Sequence, residues 1–153
     1  MRPPALPHRF LPSARLAGAL VLAATLGACA SGVSLDEPIE GPTWRLVQLG
    51  EQPLSPAPEA ARQPQVRFDN ADRIAGTGGC NRFSGAFLRN GSQMRMSQLA
   101  ATRMACPEPY GAREMQFFQA LQTTASYRLA GPGRLVLLDA GGRTLAHLDS
   151  TGR

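Results

Sequence analysis

From Thr43 onward, short apolar runs alternate with turn signals, and one stretch stands out as an exception. A chain punctuated in that way builds hairpins and little else. Thr43–Leu49 (TWRLVQL) reads as a first strand, and residues 50–64, which hold four prolines, read as a loop. Gln65-Val66-Arg67-Phe68 alternates polar and apolar with period 2, as a half-buried strand does. Residues 69–72 (DNAD) read as a turn and residues 73–77 as a weaker strand. The strongest hairpin signal is residues 83–89, then Asn90-Gly91, then residues 93–99. Asn-Gly supplies the positive φ that a two-residue turn demands. Residues 126–130, 134–139 and 143–149 read as three closing strands, separated by Gly131-Pro132-Gly133 and by residues 139–142 (DAGG). About seven or eight short strands at hairpin spacing predict a mainly β fold. The expected form is a small antiparallel barrel or a strongly curved sheet, lipocalin-like in topology.

The exception is residues 112–124, which contain no Gly or Pro and follow Gly111. Phe117, Phe118 and Leu121, with Met115 beside them, make one apolar face at helical spacing. One α-helix packed on the sheet is therefore expected there. A membrane-active stripe fits less well, because the opposite face carries little positive charge.

The N-terminal segment follows different rules. Arg2, Arg9 and Arg15 precede an uncharged run over residues 16–28, and Cys29 follows. A basic start, a short apolar run and a small-residue exit are the parts of an export signal. The run is shorter than the ~20 residues a membrane-spanning helix needs. Leu26-Gly27-Ala28-Cys29 resembles the lipobox of bacterial lipoproteins. That resemblance implies cleavage before Cys29 and lipidation of its sulfur. Ala30, where retention at the inner membrane would favour Asp, implies delivery to the outer membrane. Several acyl chains anchor stably where one is marginal. Residues 30–41, polar and acidic, read as a tether from lipid to domain, and the domain is expected over residues 42–149.

Processing also changes the charge argument. The full chain is +5, but loss of residues 1–28 leaves 13 Arg against 11 acids. No basic run survives, so nucleic acid is excluded as a partner. The expected contacts are the membrane, through the lipid, and an envelope protein. The mature segment can bury a modest core of its own.

With Cys29 lipidated, Cys80 and Cys106 form an even pair in an oxidising compartment. A disulfide is the favoured reading, and it typically stabilises by ~2–4 kcal/mol. A zinc site is short of ligands, because His147 is the only mature histidine. Two free thiols remain the third reading.

Residues 76–87 (GTGGCNRFSGAF) resemble the G-C-N-x-F-x-G-x-aromatic signature of the META domain, the family of the HslJ-type heat-shock protein. Residues 102–106 (TRMAC) resemble its second motif, T-x-M-x-C. Trp44-Arg45-Leu46 and Leu135-Val136-Leu137 fall where the family has them, so the resemblance covers nearly the whole mature chain. It implies a compact barrel-like fold with one helix, found in envelope lipoproteins linked to stress and, in one case, to novobiocin resistance. It implies no defined activity.

The motif residues have a structural reading. Gly76, Gly78, Gly79 and Gly85 permit tight corners or close approaches, Asn81 can bond its own loop in an Asx turn, and Phe83 and Phe87 join Trp44 and Phe68 in the core. The alternative is a binding mouth lined by Asn81, Arg82, Phe83, Gly85, Thr102 and Arg103, since conspicuous loops often carry function. Catalysis is not expected. The glycine loop lacks the Lys-Ser/Thr ending of a phosphate loop, a cysteine nucleophile would have only His147 as base, and the acids show no paired arrangement. No cofactor and no metal is expected. The function expected is a non-catalytic outer-membrane lipoprotein that supports envelope integrity, or stress and antibiotic tolerance, through a protein partner. The alternatives are a small-ligand-binding barrel and a thiol-redox module using Cys80 and Cys106.

Overall fold

Alternation of apolar and polar residues lets each strand bury one face, and hairpin turns then lay the strands side by side. A computed structural model describes residues 38–151 of the chain. Cys29 and the segment expected to be an export signal lie outside them. Among the described residues, nine strands form one antiparallel sheet. They are β1 (Thr43–Leu49), β2 (Gln52–Pro53), β3 (Gln65–Phe68), β4 (Arg73–Thr77), β5 (Arg82–Asn90), β6 (Gln93–Ala101), β7 (Ser126–Leu129), β8 (Arg134–Leu138) and β9 (Thr144–Ser150). Helix α1 (Tyr110–Thr123) is inserted between β6 and β7. The strand order is β2-β1-β3-β4-β5-β6-β7-β8-β9, and β9 returns to pair with β1. The sheet is thus ring-like. It is not a true barrel, because β6 and β7 share only the pair Gln93↔Ser126.

The inward residues follow the period-2 pattern: Trp44 and Leu46, Val66 and Phe68, Phe83 and Phe87, Leu135 and Leu137, Ala146 and Leu148 are all buried. Phe68 and Phe87 meet edge to face at 5.0 Å. Each such side chain contributes roughly 1.5–3 kcal/mol through burial. From the helix, Phe117, Ala120 and Leu121 complete the core. The proline-rich loop is held down by buried Gln63, whose side-chain amide donates to the Leu46 carbonyl and accepts from the Ala57 N–H.

Several local expectations shift. The helix starts at Tyr110, so Gly111 lies inside it. Met115 is 70 % exposed, whereas Glu114 sits on the buried face with Phe117 and Leu121. At 100° per residue Met115 lies about 200° from Phe117, which carries it off the core-facing stripe. The β5–β6 turn is Gly91-Ser92, closed by the pair Asn90↔Gln93. Gly91 has φ +57° and Ser92 has negative φ, the signature of a type II′ turn with glycine at its first central position. The domain also begins earlier than the polar composition of residues 30–41 suggests. Ile39 is fully buried and its carbonyl accepts the Trp44 indole N–H at 2.7 Å, while Glu40 pairs with Arg89 at 3.1 Å.

Candidate functional site

Three segments converge where the chain leaves the sheet for the helix: the β4–β5 loop, residues 102–106 after β6, and the first turns of α1. Cys80 and Cys106 are joined by a disulfide, with S–S 2.10 Å and Cα–Cα 6.0 Å. Both sulfur-bearing residues are half-buried.

Asn81 is 5 % exposed and spends its whole amide inside the protein. Its Oδ1 accepts from the Thr102 hydroxyl at 2.8 Å and from the Met104 N–H at 2.7 Å. Its Nδ2 donates to Glu114 Oε1 at 2.6 Å and also reaches the Met104 carbonyl at 3.3 Å and Cys106 Sγ at 3.2 Å. This differs from an Asx turn: the side chain bridges to segments 21 to 33 residues away instead of its own loop. Within the loop the Gly78 N–H donates to the Asn81 carbonyl at 2.9 Å and the Gly79 N–H to Thr77 Oγ1 at 3.1 Å.

Glu114 completes the arrangement. It is 5 % exposed, and its Oε2 accepts the backbone N–H groups of Cys80 at 3.1 Å and Asn81 at 2.6 Å. A buried carboxylate is costly unless hydrogen-bonded, and three donors converge here. Oε1 also lies 3.6 Å from Cys106 Sγ. Glycine is needed at two points for this to fit. A Cβ on Gly78 would run into the Glu114 side chain, and Gly79 has φ +106° with the Arg62 carbonyl against it. Tyr110, at the start of the helix, stacks under the guanidinium groups of Arg62 and Arg113 at 5.1 and 5.9 Å, tying the proline-rich loop to the same corner.

The structure therefore gathers Cys80, Asn81, Thr102 and Cys106, and it adds Glu114, which motif reading did not single out. The available signal was an acid at helical spacing within an apolar stripe. Phe83 points into the core against Phe117 and Phe118, with ring centroids at 6.2 and 5.3 Å. Gly85 lies on β5 opposite a bulge in β6, between the pairs Ser84↔Ala100 and Ala86↔Ser97. Arg82 and Arg103 are exposed, and Arg82 joins the corner only through its backbone, whose N–H donates to Thr102 Oγ1 at 3.2 Å. Arg82 and Arg103 do not join Asn81 in a shared open mouth, because Asn81 is buried.

A ring-like antiparallel sheet, interrupted once by a helix and fastened there by a disulfide and a buried Asn–Glu pair, defines the kind of domain this is. The chain belongs to the META domain family, whose model matches residues 37–152. Among solved structures it is similar to an NMR structure of a protein from Burkholderia xenovorans, with 23% identity, TM-score 0.58, and coverage of 75% of this chain and 85% of that one. A second NMR structure shares 24% identity at TM-score 0.56, covering 71% and 89%. The crystal structure of a DUF4847 family protein from Bacteroides vulgatus shares 14% identity at TM-score 0.54, covering 78% and 99%. At these identities the likeness is one of fold. No curated protein matches the chain.

Proposed function

We propose that this META domain protein is a non-catalytic lipoprotein, anchored through Cys29 in the bacterial outer membrane with its domain facing the periplasm, and that it supports envelope integrity under stress or antibiotic challenge through a protein partner. The observation that carries the reading is the use made of the motif residues. Asn81 and Glu114 direct their polar atoms at one another and at neighbouring backbone, so they are committed to holding the fold. What remains for recognition is the outside of the molecule, where Leu88, Met104 and Met115 are large apolar side chains at 67, 58 and 70 % exposure.

A ligand-holding barrel has less support, because Trp44, Phe68, Phe87 and Phe117 fill the interior. A groove of about 600 Å³ lies instead on the surface, between Gln52, the Gln116 and Gln119 side of α1, and Arg143. A disulfide also fits an exported protein better than a cytosolic one.

The test is complementation. In a strain deleted for the gene, permeability to a large hydrophobic antibiotic is measured with the wild type, Cys29→Ser or Met104→Asp/Met115→Asp restored. Wild type should restore the barrier. Cys29→Ser, exported but unlipidated, should not, and the double Met variant should be lipidated yet ineffective. Full rescue by Cys29→Ser would refute the anchored reading, and full rescue by the Met variant would refute recognition through those two side chains.

A further inference from the structure

We infer that the disulfide corner is also a latent site for a thiophilic divalent cation of the zinc type, opened by two-electron reduction of Cys80–Cys106. One ligand atom from each of Cys80, Cys106 and Glu114 lies within 4.8 Å of the others. A tetrahedral zinc ion with bonds of about 2.0–2.3 Å holds its ligand atoms about 3.3–3.8 Å apart, so the three are nearly in place. The main adjustment is separation of the two sulfurs once their bond, now 2.10 Å, is gone. Residues 101–105 are all exposed, and Thr102 and Met104 stay tied to Asn81, so the adjustment falls on the cysteine side chains.

The surroundings are those of a supported ligand set. Glu114 Oε2 is occupied by two backbone N–H groups, but Oε1 takes only the Asn81 amide and faces Cys106 Sγ at 3.6 Å. A carboxylate oxygen has two lone-pair directions, so one remains for a metal. Asn81 Nδ2, 3.2 Å from Cys106 Sγ, would then orient both the carboxylate and a thiolate, as outer-shell donors do in metal sites. The half-buried sulfurs leave the fourth position to water. A dithiol reductant gives two electrons and two protons, becoming a disulfide, and Cys80 and Cys106 become thiols. The cation then displaces both thiol protons to solvent and binds two thiolates and one carboxylate. An exchanging disulfide, which takes two electrons from the thiolates and two protons from solvent to become a dithiol, re-forms Cys80–Cys106 and releases the cation.

The sequence offered too few ligands for zinc because the third lies 34 residues from Cys80 and looks like a surface acid of a helix.

The experiment uses the mature chain, reduced with a phosphine that is then removed anaerobically, and titrated with Co²⁺ and Zn²⁺. Reduced wild type should bind one Co²⁺ with thiolate charge-transfer bands and a tetrahedral ligand-field spectrum. The oxidised protein and Cys80→Ser/Cys106→Ser should show neither. Glu114→Gln should bind Zn²⁺ at least about tenfold more weakly. Infrared difference spectra of the wild type, which need no variant at Glu114, should show a carboxylate band shifting as Zn²⁺ binds. Reduced protein that binds no more tightly than the double serine variant overturns the site. An octahedral Co²⁺ spectrum, an unshifted carboxylate band, or unchanged affinity in folded Glu114→Gln would do the same.

Discussion

The ring of strands has one strong seam and one weak one. Between β1 and β9 five residue pairs run from Trp44↔Ser150 to Leu49↔Ala146, and the inward side chains Trp44, Leu46, Ala146 and Leu148 are all buried. Between β6 and β7 there is the single pair Gln93↔Ser126, because the chain departs at Ala101 and returns only after the helix. At the strong seam the backbone ladder and the hydrophobic pattern suffice. At the weak one the ladder fails, and the detour is fastened by side chains instead: a disulfide, a fully used asparagine amide and a buried carboxylate. The motif that looks most like a site is, on this comparison, what replaces the missing ladder.

The weak seam is most vulnerable at Glu114. Glu114→Ala removes the acceptor of the Cys80 and Asn81 N–H groups and the shortest contact of the Asn81 amide nitrogen. The expected cost is about 3–5 kcal/mol by chemical denaturation, since each buried unsatisfied donor costs about 1–3 and water recovers part of it. A loss under about 1 kcal/mol would mean the weak seam does not need its fastening. Reduction of Cys80–Cys106, in buffer freed of metal, should cost somewhat less, about 2–4 kcal/mol, because it relaxes a loop of 26 residues in the unfolded chain while the Asn–Glu bonds persist. If reduction costs more than Glu114→Ala, the covalent link and not the polar cluster carries the seam.

Both seams are approached through bulges, and these differ. In β1 the extra residue is Val47, between the pairs Leu46↔Leu148 and Gln48↔His147, and its φ is not positive. In β6 the bulge contains Gln98 at φ +54°, a conformation that costs a non-glycine residue about 1–2 kcal/mol. Gln98→Gly should relieve that strain, offset by the added freedom of glycine in the unfolded chain, for a net gain of about 0.5 kcal/mol. Val47→Gly should destabilise. Matching signs for the two variants would remove the distinction.

The two seams were also unequally readable from the amino acids. Strands announce themselves locally, through the alternation of Gln65–Phe68 and the glycine-bearing turns, and the helix through apolar residues at helical spacing in a stretch without Gly or Pro. The aromatic core followed from the same alternation, and the disulfide from an even cysteine pair. The bonds from Asn81 to Glu114 span 33 residues, and nothing local marks them. Ile39 escaped notice for the opposite reason: a single apolar residue among acids and serines has no periodicity, yet it seals the Trp44 end of the strong seam. Asn90-Gly91 placed the turn one residue early because both Asn-Gly and Gly-Ser suit a two-residue hairpin, and only the strand register chooses between them.

The remaining expected effect belongs to the strong seam and is one of pH. His147 sits on β9 opposite Gln48 and Val136. Burial holds its imidazole below the ordinary value of 6.5, and Arg134 and then Arg128 push in the same direction, against the weaker opposing effect of Asp149. The folded protein therefore binds that proton less readily than the unfolded chain does. Stability from this group is complete above the ordinary histidine range and is lost as pH falls below it toward the folded value. The Asp149 carboxyl, held low chiefly by its hydrogen bonds from Arg134, stays charged through that window and does not confuse it. Between about pH 7 and about pH 5.5 the wild type should lose no more than about 1 kcal/mol, since the ring is only partly shielded from solvent. His147→Gln should flatten that slope, measured as the change in denaturation midpoint between the two pH values. A slope that survives in His147→Gln would place the titrating group elsewhere. The strong seam would then be insensitive to pH in this range.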